Sequence, residues 1–96
     1  MEIDLNTIPK PNHDVISRMV DNEAVLVLPK QGQVKVLNEV GAAIWDLING
    51  ERNVKQISLD ICDQFEVEPH IAEADTLKFI AELVKREIIS VENIRT

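Results

Sequence analysis

The run from Asn38 to Gly50, NEVGAAIWDLING, specifies a helix together with its start, its buried side and its stop. Asn38 suits an N-cap, because its side-chain oxygen accepts a bond from an orphan N–H of the first turn. Gly50 suits the position past the end, because a left-handed φ costs it nothing. Val40, Ala43, Ile44, Leu47 and Ile48 recur at helical spacing and are expected to line one buried side. Trp45, the only tryptophan, falls toward a different side. Everything before this helix reads as strand and everything after it as helix. A chain with that order is constrained to a small α+β domain.

The strands follow from alternation and turn chemistry. Val15–Val20 is rich in β-branched residues, and Asp21-Asn22 is a two-residue hairpin turn whose members tolerate positive φ. Ala24–Leu28 is apolar on both faces, as a central strand is. Pro29-Lys30-Gln31-Gly32 makes a turn, and Gln33–Leu37 alternates as a third, edge strand. Val34 and Val36 share one of its faces; Gln33 and Lys35 share the other. The meander therefore has two edges, 15–20 and 33–37. Residues 1–12 carry Pro9 and Pro11 and little periodicity, so they read as an extended, partly mobile arm lying outside a single domain of residues 13–96.

After the first helix, Asn53 and Gln56 have the spacing of a capping box. The second helix is expected over Val54–Phe65, with Val54, Ile57, Ile61 and Phe65 inward. Pro69 suits the first position of a third helix running to about Glu87. At roughly 100° per residue, Ala74, Leu77, Ile80, Ala81, Val84 and Ile88 form its core arc. Phe79 and Leu83 fall away from that arc and near each other, as a second apolar ridge on a charged helix. Ile88–Val91 either adds a short strand or packs back.

Several function classes are disfavoured. Ten Lys+Arg against seventeen Asp+Glu give a net charge of −7, which opposes phosphate backbones and anionic membranes. The lone Cys62 has no disulfide partner, the amino terminus lacks the pattern of a signal peptide, and no apolar run is long enough to span a membrane. A cytoplasmic protein is expected. His13 and His70 stand far apart without companions at metal spacing, the three glycines form no phosphate loop, and no serine has a base nearby. No enzyme, metal or cofactor is expected.

What remains is an open strand beside a helix with spare apolar side chains, which is equipment for capturing an extended peptide. Backbone groups of Gln33, Val34, Lys35, Val36 and Leu37 would set the register, and Phe79 and Leu83 would supply anchors. Three or four new hydrogen bonds at about 0.5–1.5 kcal/mol each and two anchors at about 1.5–3 kcal/mol each outweigh the ordering of the peptide. Micromolar or somewhat tighter binding is expected, near about −8 kcal/mol. An open edge can also pair with itself, so the chain is expected as a monomer or weak homodimer.

The ordered set Asp21–Leu28, Pro29–Gly32, Val36-Leu37-Asn38-Glu39, Ala42–Arg52, Val54–Ile57 and Ala72–Ile89 resembles the PqqD family, pyrroloquinoline-quinone synthesis protein D and its relatives. Asn53 stands where the family often has threonine and Gly41 where it often has alanine, changes of capping and propensity only. The resemblance implies a winged helix-turn-helix-like fold, a three-stranded antiparallel sheet followed by three helices. It implies a peptide chaperone, or RiPP recognition element, that binds the leader of a ribosomally made precursor. Such proteins present the precursor to a modifying enzyme, often a radical S-adenosylmethionine enzyme. In the family the leader adds beside the third strand, against the third helix. Carried over, that is Gln33–Leu37 and the side of the third helix bearing Thr76, Phe79, Ile80 and Leu83. The competing expectations are a winged-helix DNA binder reading with an acidic third helix, and a structural subunit of a larger assembly.

Overall fold

In the computed structural model, which describes residues 3–93, the chain runs β1 (Thr7–Pro11), β2 (Ile16–Val20), β3 (Glu23–Leu28), β4 (Gln33–Leu37), α1 (Glu39–Leu47), α2 (Val54–Phe65), α3 (Pro69–Lys85) and β5 (Ile89–Asn93). Strands β2, β3 and β4 form the three-stranded antiparallel sheet, with β3 central as its two-sided apolar run requires. Asp21 takes φ 57° in the two-residue turn between β2 and β3. Gln31 N–H donates to the Leu28 carbonyl in the next turn, and Gly32 closes it at φ 62°. The fold is α+β and of the winged helix-turn-helix type.

One sheet face makes the core. Ala24, Leu26 and Leu28 point inward and are buried, as is Leu37 on β4. Helix α1 packs on β3 and β4 and also against α2. Asn38 caps it, its side-chain oxygen accepting from Gly41 N–H at 2.9 Å. The helix stops at Leu47, a residue earlier than a C′ at Gly50 implies, and Gly50 takes the expected left-handed φ at 82°. The buried residues on this segment are Gly41, Ala42, Ile44, Trp45 and Ile48. Trp45 therefore belongs to the core, and Val40 is exposed. The expected arc was rotated because α1 is covered on two sides, and a two-sided helix has no single apolar stripe.

Helix α2 starts in the anticipated capping box: Gln56 N–H donates to Asn53 Oδ1, and Asn53 N–H donates to Gln56 Oε1. Val54, Ile57 and Ile61 are buried, and Phe65 is half-buried. Pro69 opens α3. The buried stripe of α3 is Ala72, Thr76, Ile80 and Leu83, whereas Ala74 and Ala81 of the expected arc face solvent. Alanine is a weak signal, because exposing its one methyl costs little. A polar residue in the stripe, Thr76, concealed the true periodicity.

The Thr76 hydroxyl is fully buried and has no hydrogen-bond partner among the described residues. Such a group carries a desolvation cost with nothing to offset it. Thr76→Val is expected to raise stability by about 1 kcal/mol, seen as a higher urea midpoint at unchanged slope. A lower midpoint would mean that the hydroxyl has a partner after all.

The amino-terminal segment is not an outlying arm. Residues 7–11 form β1, which pairs antiparallel with β5 in a second, two-stranded sheet running from Thr7 opposite Asn93 to Pro11 opposite Ile89. Thr7 and Pro9 are fully buried. The Leu5 carbonyl accepts from Lys55 N–H, an orphan donor of the first turn of α2, and the Pro9 carbonyl accepts from Gly50 N–H. Prolines that argued against regular structure are tolerated here because, among the described residues, β1 has a neighbour on one side only. Met1, Glu2 and residues 94–96 lie outside the described residues. No helix among those described is long and apolar enough to cross a membrane.

Candidate functional site

Among the described residues, β4 pairs with β3 alone, so one long side of β4 is open. Its polarity follows from the hairpin on the other side of the sheet. A two-residue turn is closed by a hydrogen-bonded pair, here Val20 and Glu23. Alternation along β3 then directs Glu23, Val25 and Val27 toward β2, and Ala24, Leu26 and Leu28 toward β4. Their partners on β4 are Leu37, Lys35 and Gln33. The residues between, Val34 and Val36, therefore aim their N–H and C=O groups at the open side. A strand laid there would meet two donors and two acceptors.

Beside this edge lies a cleft of about 490 Å³. Its sheet wall is Lys35, Val36 and Leu37; its α1 wall is Val40, Gly41 and Ile44; its α3 wall is Asp75, Lys78, Phe79 and Glu82. Phe79 is half-buried and is the one aromatic side chain lining it. Gly41 lets that ring lie close to α1: a Cβ there would stand 3.4 Å from Phe79 Cε1 and 3.3 Å from Asn38 Oδ1. The ring contact lies at the near end of ordinary van der Waals packing, and the Asn38 side chain would have to give by a few tenths of an ångström. Lys35 reaches across from β4 to Glu82 on α3 at 3.8 Å, and Arg86 Nε meets the same carboxylate oxygen at 3.4 Å. This partly exposed triad straps the cleft but adds little stability.

The residues expected to form the site divide into three groups. Lys35, Val36, Leu37 and Phe79 line the cleft. Gln33 and Val34 lie on the same strand outside it, Val34 contributing its backbone to the open edge. Thr76, Ile80 and Leu83 are fully buried and take no part in the lining. The pairing of Leu83 with Phe79 as surface anchors is thus corrected: one rotation of the α3 stripe turns Leu83 into the core and leaves Phe79 at its margin. The missed residues are Val40, Gly41 and Ile44 on α1, and Asp75, Lys78 and Glu82 on α3. Asp75 and Glu82 lie four before and three after Phe79, so a wheel centred on Phe79 would have found them, whereas Lys78, one before it, has no such signal. Among the described residues no cluster of His, Cys, Asp and Glu is placed to hold a metal ion.

An open strand edge over an apolar cleft, on a winged helix-turn-helix frame, defines a module built to receive an extended chain. The sequence profile of the Coenzyme PQQ synthesis protein D (PqqD) family matches residues 23–89, and the chain belongs to that family. Among solved structures it is similar to TbiB1 in complex with the TbiA(beta) leader peptide, at 28% identity and TM-score 0.78 over 84% of this chain and 94% of that one. It is also similar to the PqqD truncation of Methylobacterium extorquens PqqCD, a stand-alone RiPP recognition element determined by solution NMR. There the identity is 26% and the TM-score 0.71, over 85% of this chain and 87% of that one. Lasso peptide synthetase B1 complexed with its leader peptide shares the fold at 18% identity and TM-score 0.77, over 86% of this chain and 98% of that one. No curated protein sequence matches significantly.

Proposed function

We propose that this protein is a peptide chaperone that binds the leader of a ribosomally made precursor along the open side of β4 and presents the precursor to a modifying enzyme. The reading rests on one observation above all: the outward backbone of Val34 and Val36 runs beside a cleft in which Phe79 is within reach of a foreign side chain. A similar protein solved with a leader peptide supports it. The backbone supplies register, and alternate side chains of the leader enter the cleft. The chain itself does no chemistry in this reading; it works in the cytoplasm, without a cofactor, beside a radical S-adenosylmethionine or other peptide-modifying enzyme. The pathway makes the quinone cofactor pyrroloquinoline quinone or an unrelated peptide product.

Titration of the labelled protein with the leader peptide of a candidate precursor, followed by NMR, tests this directly. Shifts are expected at residues 33–41 and 75–82, and shifts confined to other surfaces would defeat the assignment. Val36→Pro removes one outward N–H without touching the ladder to β3. It is expected to weaken the precursor about tenfold, the effect of roughly one hydrogen bond, with little change in melting temperature. Equal affinity for the variant would show that the peptide does not add at this edge.

A further inference from the structure

The face of the three-stranded sheet turned away from the helices is apolar and uncovered. Ile16, Val27 and Val34 stand in one row across the strands, and Arg18, Val25 and Val36 in the next. Ile16, Val34 and Val36 are each about 60% exposed, and Val20 extends the patch at 48%. Core packing does not explain these side chains, since the opposite face already holds Ala24, Leu26 and Leu28 at full burial. β-branched residues suit strands in general, but exposed aliphatic patches that run together mark contact surfaces.

We propose that this outer face is where the peptide-modifying enzyme docks, and that the bound leader completes the docking surface. The proposal rests on the chaperone reading of the β4 edge. Val34 and Val36 carry both features at once: their backbones form the open edge and their side chains form the outer face. A strand added to that edge continues each row by one position, because alternate residues of any strand project to each face. The largest patch on an ordinary monomer covers roughly 300–600 Å², whereas each partner in a stable complex gives up roughly 800 Å². Against those sizes three strands of five or six residues make a narrow face, and a fourth strand widens it. Charge narrows the partner further. Arg18 lies within the patch and makes no ion pair among the described residues, on a chain of net charge −7. Covering a guanidinium without a counter-ion is costly, so the docking enzyme presents an apolar surface with a carboxylate opposite Arg18. The enzyme then distinguishes loaded from empty chaperone by the breadth of the face it meets.

The test uses the full chain, the precursor encoded beside it and the modifying enzyme of the same gene cluster. Precursor affinity is measured first, then affinity of the enzyme for chaperone with and without saturating precursor. Ile16→Asp and Arg18→Glu lie on β2, across the sheet from the β4 edge; circular dichroism verifies that each folds. Both are expected to bind precursor within twofold of the parent and to lose at least tenfold in enzyme affinity, with Arg18→Lys retaining most of it. The parent without precursor is expected to bind enzyme at least tenfold more weakly. Unchanged enzyme affinity in both folded variants overturns the proposal. So does sedimentation showing that the parent pairs with itself through this face and that Ile16→Asp separates the pair. A parent that fails to bind precursor at all overturns the chaperone reading instead, and that result appears before any enzyme is added.

Discussion

Leu83→Ala is expected to destabilise the domain by roughly 2–5 kcal/mol, the range for leucine truncation in a packed interior. Leu83 is fully buried on α3, in the same stripe as Ile80 and Ala72. The missing methyls would leave a void that helices anchored at both ends cannot close. For a domain whose whole stability is about 5–15 kcal/mol, this is a large fraction, and the melting temperature would fall by about 4–8 °C for each kcal/mol lost. Urea denaturation at constant slope measures it. Precursor affinity, measured well below the new melting temperature, should change little. A variant with parental stability and abolished peptide binding would move Leu83 from the core into the cleft.

Phe79→Ala is expected to do the reverse. Its ring is half-buried against Gly41 and forms the α3 wall of the cleft. An apolar anchor of the leader would cover the rest of it, and losing that burial removes about 1.5–3 kcal/mol. Precursor affinity should therefore fall about ten- to a hundredfold. The stability cost should be smaller than for Leu83→Ala, because part of the ring is already in water. Isothermal titration with the precursor separates the two effects. Parental affinity in a folded Phe79→Ala variant would leave the cleft without a role.

The two substitutions also mark the boundary of what could be read from the chain alone. Features set by neighbours in sequence were legible: the N-cap at Asn38, the capping box of Asn53 and Gln56, Pro69 at the head of α3 and the strand Gln33–Leu37 all stand as expected. Features set by distant partners were not. β1 depends on β5, more than seventy residues away, and nothing within Thr7–Pro11 announces that pairing. The rotation of α1 depends on which sides α2 and the sheet cover, and it brought Trp45 inward and Val40 out. On α3 two exposed alanines and one buried threonine displaced the apolar arc enough to exchange the roles of Leu83 and its neighbours. The cleft was thus legible as a place, with an edge and an aromatic, while Val40 and Ile44 of its α1 wall had been assigned to the buried side of that helix.

The pairing of β1 with β5 has a consequence for how such a domain is handled. Thr7 stands opposite Asn93, so the polypeptide enters and leaves at one spot, on a sheet separate from β2, β3 and β4. Closely spaced ends allow a unit to be spliced into or onto another polypeptide with little distortion. A tether attached next to Thr7 or Asn93 would load the two-stranded sheet, and not the sheet that carries the receiving edge.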